Sequence, residues 1–133
     1  MTLGLLDTSF IVRYLVGEPA DMADAAAKVI DSAEAVATSP VGLVESAYVL
    51  SKVYGVPREK VVDALLDLLQ RENVHVVGVD PATAAEALLL CRPSHRVSFS
   101  DAMMWAEARS SGIDLIYNFD RSFPDRSMEL RQG

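Results

Sequence analysis

The chain predicts an α/β fold, a three-layer sandwich whose mainly parallel central sheet of four to five strands is flanked by helices. Three observations carry this expectation. Short apolar runs (Leu3-Gly4-Leu5-Leu6, Ala35-Val36-Ala37-Thr38, Val74-His75-Val76-Val77 and residues 113–118) have the length and character of buried strands. Longer segments with apolar residues at helical spacing separate them, and strands alternating with helices imply parallel pairing. With 133 residues, 50% of them hydrophobic, residues 1–133 suffice for one domain with a real core and leave no length for a second.

The elements follow in order. Residues 3–7 form the first strand, and Thr8-Ser9 opens a short helix through Phe10, Ile11, Val12, Tyr14 and Leu15 that Gly17-Glu18-Pro19 stops. Met22, Ala25, Ala26, Val29, Ile30 and Ala33 recur as one helical face; residues 35–39 form a second strand ending before Pro40. Two helices follow, over residues 41–54 and 57–70, with Gly55 as a stop, Pro57 in the first turn and a broad apolar face from Val61 to Leu69. Residues 74–77 form the third strand, and Asp80 caps a helix that has Pro81 at its first position and runs to Cys91. A helix over residues 98–111 ends at Gly112. Residues 113–118 are the fourth strand, and residues 127–131 form a short edge strand.

Composition narrows the function classes. Twelve basic against 19 acidic residues give a net charge of −7, which argues against a general electrostatic grip on nucleic acid. A polyanionic substrate would need local help, and basic residues do pool in Arg92-Pro93-Ser94-His95-Arg96 and from Arg121 to Arg131. The lone Cys91 cannot form an internal disulfide or build a zinc site, and on the apolar side of its helix it reads as a small buried hydrophobe. No apolar run approaches the roughly 20 residues of a membrane span, and the N-terminus lacks a basic lead and a cleavage site, so the expectation is a mature cytoplasmic protein.

Four acids stand where a carboxylate is expensive: Asp7 and Asp120 at the ends of apolar runs, Glu45 inside one, and Asp101 in the first turn of a helix. Each has a structural role available. Asp7 suits a helix cap, Ser98-Phe99-Ser100-Asp101 matches a capping box, and Asp120 suits a turn. Glu45 is the hardest to explain structurally, because Val41, Tyr48 and Val49 surround it on its helix. Asp7 and Asp120 fall at the carboxyl ends of strands, where open parallel sheets form their crevice, and Glu45 and Asp101 begin helices that reach the same place. Like charges about 4 Å apart repel by roughly 4 kcal/mol at an effective dielectric near 20, so a gathering of four implies a hard divalent cation, Mg²⁺ or Mn²⁺. Without metal, such crowding raises the pKa of at least one of them.

Order and setting then point to a family. Leu5-Leu6-Asp7-Thr8-Ser9, Val44-Glu45-Ser46-Ala47, Phe99-Ser100-Asp101-Ala102-Met103 and Tyr117-Asn118-Phe119-Asp120-Arg121-Ser122-Phe123 resemble, across nearly the whole chain, the four acidic motifs of PIN-domain nucleases. The likeness is greatest to the VapC-type ribonuclease toxins of toxin–antitoxin pairs, and Tyr54-Gly55-Val56-Pro57 resembles that family's break between two helices. The resemblance implies a PIN-like fold and metal-dependent endoribonuclease activity leaving 5′-phosphate and 3′-hydroxyl ends. It also implies a homodimer and a cognate antitoxin protein. It makes Asp7, Asp101 and Asp120 metal ligands and Glu45 a ligand or water-mediated base, with Thr8, Ser9 and Asn118 in support. Asn118 departs from the Thr or Ser usual two residues before the fourth acid; Asp125 reads as a loop charge, and Trp105, one turn beyond Asp101, as core.

Rival readings are weaker. An aspartate-dependent phosphatase wants a second Asp two residues after the first, where Ser9 stands, and a receiver domain wants an acidic pair and a late Lys that are missing. A catalytically silent module that binds metal only for stability shares every feature above.

Overall fold

The computed structural model describes residues 3–133. Their elements run β1 (Gly4–Leu5), α1 (Thr8–Val16), α2 (Ala20–Ile30), β2 (Val36–Thr38), α3 (Pro40–Lys52), α4 (Arg58–Leu69), β3 (Val74–Val76), α5 (Pro81–Cys91), α6 (Phe99–Ser110), β4 (Leu115–Tyr117) and β5 (Glu129–Arg131). Strand and helix alternate as the sequence pattern requires.

β1, β2 and β3 hydrogen-bond in that order, all parallel, with Leu5 beside Ala37 and Ala37 beside His75. Successive strand residues point to opposite faces, and all three residues of β2 are buried, so this strand is covered on both sides. That is the three-layer arrangement. The Leu6 N–H donates to the Ala37 carbonyl at 2.7 Å and the Val77 N–H to the Thr38 carbonyl at 2.8 Å, which extends the pairing toward the carboxyl ends where the chain turns into α1 and α3.

All the strands are parallel, as expected, yet they hydrogen-bond as three and two instead of as one sheet. β4 pairs only with β5, placing Ile116 beside Leu130. The physical reason is the shortness of β1, two residues with Leu5 65% exposed, whose outer edge carries no partner among the described residues.

Local chemistry explains the helix ends. Ser39 Oγ accepts from the Gly42 N–H at 3.0 Å and Pro40 takes the first position of α3. A side chain at position 42 would place its Cβ 3.3 Å from both the Ser39 and Thr38 hydroxyl oxygens, which favours glycine there. Gly17 ends α1 at φ 82°, a left-handed value suited to glycine, with its N–H on the Arg13 carbonyl. Two expectations are corrected: α4 starts after Pro57, which stands at the cap, and Asp80 sits at the cap of α5 without accepting a backbone N–H. The Asp80 carboxylate instead accepts from the Thr83 hydroxyl at 3.3 Å.

The core gathers Ile11, Ile30, Leu43, Leu65, Leu68, Leu88 and Trp105, all essentially inaccessible. Trp105 donates its indole N–H to the Arg126 carbonyl at 2.9 Å, so it packs as a core residue. The broad apolar face of α4 belongs to the core as well, since Val61, Val62, Leu65 and Leu68 are all buried. Arg58 fastens the segment between α5 and α6 to α4: its guanidinium donates to the carbonyls of Cys91 and Val97 and lies 4.6 Å from the Phe99 ring centroid.

Two buried hydroxyls, Thr38 Oγ1 and Ser46 Oγ, have no hydrogen-bond partner among the described residues. A buried donor left unpaired costs about 1–3 kcal/mol. Ser46→Ala and Thr38→Val are therefore expected to raise stability by about 1 kcal/mol each, measured as a higher urea midpoint with unchanged slope; a fall for both would mean that each hydroxyl has a partner in solution. Burial also pushes the Cys91 thiol up to about 11. It stays protonated at neutral pH, so alkylation at pH 8 is expected only as fast as the protein unfolds, and rapid labelling of the folded protein would contradict this placement.

Candidate active site

Asp7 follows β1 and caps α1. Its Oδ1 accepts from the Ser9 hydroxyl at 2.6 Å and the Phe10 N–H at 3.2 Å. Those two donors, the Ser9 hydroxyl foremost, hold the carboxylate below its usual pKa. Capping does not take Asp7 out of reach of a ligand, because the cap uses Oδ1 and the carboxylate remains exposed to solvent.

Glu45 corrects the sequence picture. Val41, Glu45, Tyr48 and Lys52 share one side of α3 and all are exposed, so the acid lies on a surface stripe with apolar neighbours instead of inside the core. The inward side of α3 carries Leu43, Ser46, Ala47 and Leu50. Thr8 Oγ1 donates to Glu45 Oε2 at 3.1 Å. The sequence sets both the Thr8 and Ser9 hydroxyls beside Asp7; the fold gives Asp7 to Ser9 and sends Thr8 across to α3. This bond ties the turn after β1 to the helix after β2.

Asp101 is half-buried in the first turn of α6, and its N–H donates to the capping Ser98 Oγ at 3.1 Å. Half of the expected capping box is therefore present; the return bond from the Asp101 carboxylate to the Ser98 N–H is not among the hydrogen bonds of the described residues. Ser100, beside it, lines a shallow hollow with Glu45, Val44 and Met103, which places the start of α6 next to the Glu45 stripe.

Asp120 lies beyond β4 in a tight turn, its Oδ1 accepting from the Ser122 N–H at 2.9 Å and the Ser122 hydroxyl at 2.6 Å. As at Asp7, a Ser two residues on holds the carboxylate below its usual pKa. The role of Ser122 was not anticipated, although the Asp-Arg-Ser spacing is the signal for it. Asn118 lines the same hollow as Asp120, together with Arg121 and Arg131, and its backbone N–H donates to the Arg131 carbonyl at 2.9 Å. Asp125 is an exposed loop residue.

The structure thus bonds Ser9 to Asp7 and the neighbouring Thr8 to Glu45, and sets Asp101 on the helix start that borders the Glu45 hollow, while Asp120 sits in a hollow of its own. The donors are oxygen-only and suit a hard cation. Among the described residues, however, no three His, Cys, Asp or Glu side chains come together closely enough to hold a metal ion. The expected rise in pKa from crowding is not found at Asp7 or Asp120, where local donors lower it instead.

An α/β fold with carboxylates at the carboxyl ends of parallel strands defines the class. The family model that describes the PIN domain matches residues 4–127, and the chain belongs to that family. Among solved structures it is similar to Mycobacterium tuberculosis VapC20, described as a sarcin-ricin loop cleaving toxin, at 27% identity over 92% of each chain with a TM-score of 0.44. No curated protein matches it by sequence. No described helix is long and apolar enough to cross a membrane.

The lowered pKa of Asp7 has a defined sign. A carboxylate depressed on folding stabilises the native state above its unfolded value near 3.9, and that contribution disappears as pH falls through the lower folded value. In metal-free protein, Ser9→Ala is expected to move the Asp7 titration upward, followed by NMR of the side-chain carboxyl; an unchanged titration would show that the Ser9 hydroxyl does not hold it.

Proposed function

We propose that this chain is a divalent-metal-dependent endoribonuclease, the toxin of a toxin–antitoxin pair, working in the cytoplasm. The observation that carries the reading is the hydroxyl-fixed pair of Asp7 and Glu45, tied together through Thr8 at the adjoining carboxyl ends of β1 and β2. Membership of the PIN family and the four acidic motifs in their order support it.

Asp7, Asp101 and Asp120, which do not gather into one ligand group among the described residues, would have to close together to hold Mg²⁺ or Mn²⁺, with Glu45 as a fourth ligand or a base acting through water. When bound, such an ion lowers the pKa of a coordinated water and offsets negative charge on the phosphodiester. The chain's own residues orient the site. Ser9 and Ser122 each fix one carboxylate oxygen and leave the other free, and Thr8 turns Glu45 toward the start of α1. Asn118 supplies an amide, with two N–H donors and an acceptor oxygen on separate atoms, where a hydroxyl has one donor and accepts on the same oxygen.

The partners of this reading are an RNA substrate, a second copy of the chain and an antitoxin segment whose cationic group would meet the acids. Phe10, 39% exposed beside Asp7, provides apolar surface at the edge of that site.

The test is cleavage of RNA by the purified chain with Mg²⁺, with Mn²⁺ and with chelator. Asp7→Asn, Glu45→Gln, Asp101→Asn and Asp120→Asn are each expected to lower the metal-dependent rate by about a hundredfold or more while the protein stays folded. Near wild-type cleavage in any of them would remove that residue from the site. A melting temperature that rises with metal in protein that never cuts RNA would favour the stability module instead. Expression alone is expected to slow growth, and co-expression of the antitoxin to restore it.

A further inference from the structure

A hollow of about 240 Å³ lies beside the candidate site, bounded by α3, the start of α4 and the segment leading into α6. Tyr48, Lys52, Arg58, His95, Phe99 and Ser100 line it, and no acid does. In a chain of net charge −7 this is a local reversal of sign.

Its position relative to Glu45 is set by helix geometry. Glu45, Tyr48 and Lys52 stand at i, i+3 and i+7 on α3, one stripe whose ends are roughly 10 Å apart along the axis. Val44 and Ser100 line both this hollow and the one containing Glu45, so the two are continuous. Tyr48 is 64% exposed, a flat aromatic surface left open to solvent. Lys52 is exposed and takes part in no ion pair among the described residues. Arg58, held by the Cys91 and Val97 carbonyls, places its remaining nitrogen 3.4 Å from His95 Nδ1 and so positions that ring at the rim.

We propose that this groove is an RNA subsite, in which Tyr48 stacks a base next to the bond that is cut and Lys52, with His95 beside it, holds the neighbouring phosphate. Stacking on an exposed aromatic ring together with a cation on the backbone is how single-stranded nucleic acid is gripped without base reading. The groove supplies the local positive charge that the acidic total withholds, at one side of the carboxylates. Arg58 acts as a positioning residue. The inference rests on the ribonuclease reading for the identity of the nucleic acid but not for its test.

The experiment measures binding without cleavage. A labelled single-stranded RNA oligonucleotide of mixed sequence is titrated with the chain in chelator, by fluorescence anisotropy, from about 50 to 200 mM salt. Lys52→Ala is expected to weaken binding about tenfold and to flatten the slope of log K against log salt by about 0.7, the loss of one phosphate contact on a single strand. Tyr48→Ala is expected to weaken binding by a similar factor with the slope unchanged, and Tyr48→Phe to restore it, since stacking needs the ring and not the hydroxyl. Lys28→Ala, on α2 away from the groove, changes neither quantity. Wild-type affinity and slope in Lys52→Ala and Tyr48→Ala would overturn the subsite. Absence of RNA binding by the wild type would do the same, as would loss of a co-purified antitoxin in these variants with RNA binding intact. RNA bound with the expected dependences but never cut, with metal present, would keep the subsite and remove the nuclease reading.

Discussion

The burial of β2 on both faces is the constraint on which the rest depends. Val36, Ala37 and Thr38 have no exposed side, so helices must cover the sheet above and below, and parallel strands on either side of β2 must return through those helices. The turn after β1 and the start of α3 are thereby delivered to the same end of the sheet. Thr8, next to Asp7, and Glu45 meet there because the backbone order leaves their elements no other place, and the Thr8 to Glu45 bond is the local consequence.

The chain solves an electrostatic problem twice in one way. Asp7 and Asp120 are each fixed by a Ser two residues later and by a backbone N–H, and each is held below its usual pKa. A side chain that is already oriented and already ionised is prepared for a cation or a positively charged partner without reorganisation. The opposite sign is provided on the neighbouring stretch of α3, where Lys52 and the Arg58-positioned His95 face a groove free of acids. Net charge describes neither region, because the two signs are gathered in different places.

Much of the fold is legible in the sequence where local rules agree with the tertiary outcome. Pro81, Ser98 and Gly17 mark helix ends that the structure reproduces, since caps and left-handed glycines are decided within a few residues. The division of the strands into three and two is not legible. An apolar run at residues 113–118 announces a strand, and its neighbour is chosen by which edge is long enough and near enough. The surroundings of Glu45 escape the sequence for a related reason: apolar Val41 and Tyr48 beside it suggest burial, whereas both are exposed on the same side of α3 as Glu45.

The sequence by itself determined the succession of elements, their caps and the positions of the four acids relative to strand ends, because periodicity and side-chain capping act over one or two turns. Only the tertiary structure decided which hydroxyl serves which carboxylate, that the α4 face belongs to the core, and that Tyr48, Lys52 and Arg58 border one groove with His95. Those residues are as much as 47 positions apart, and their meeting depends on how α3, α4 and the segment before α6 pack. Packing is settled by the whole core, which no local pattern encodes.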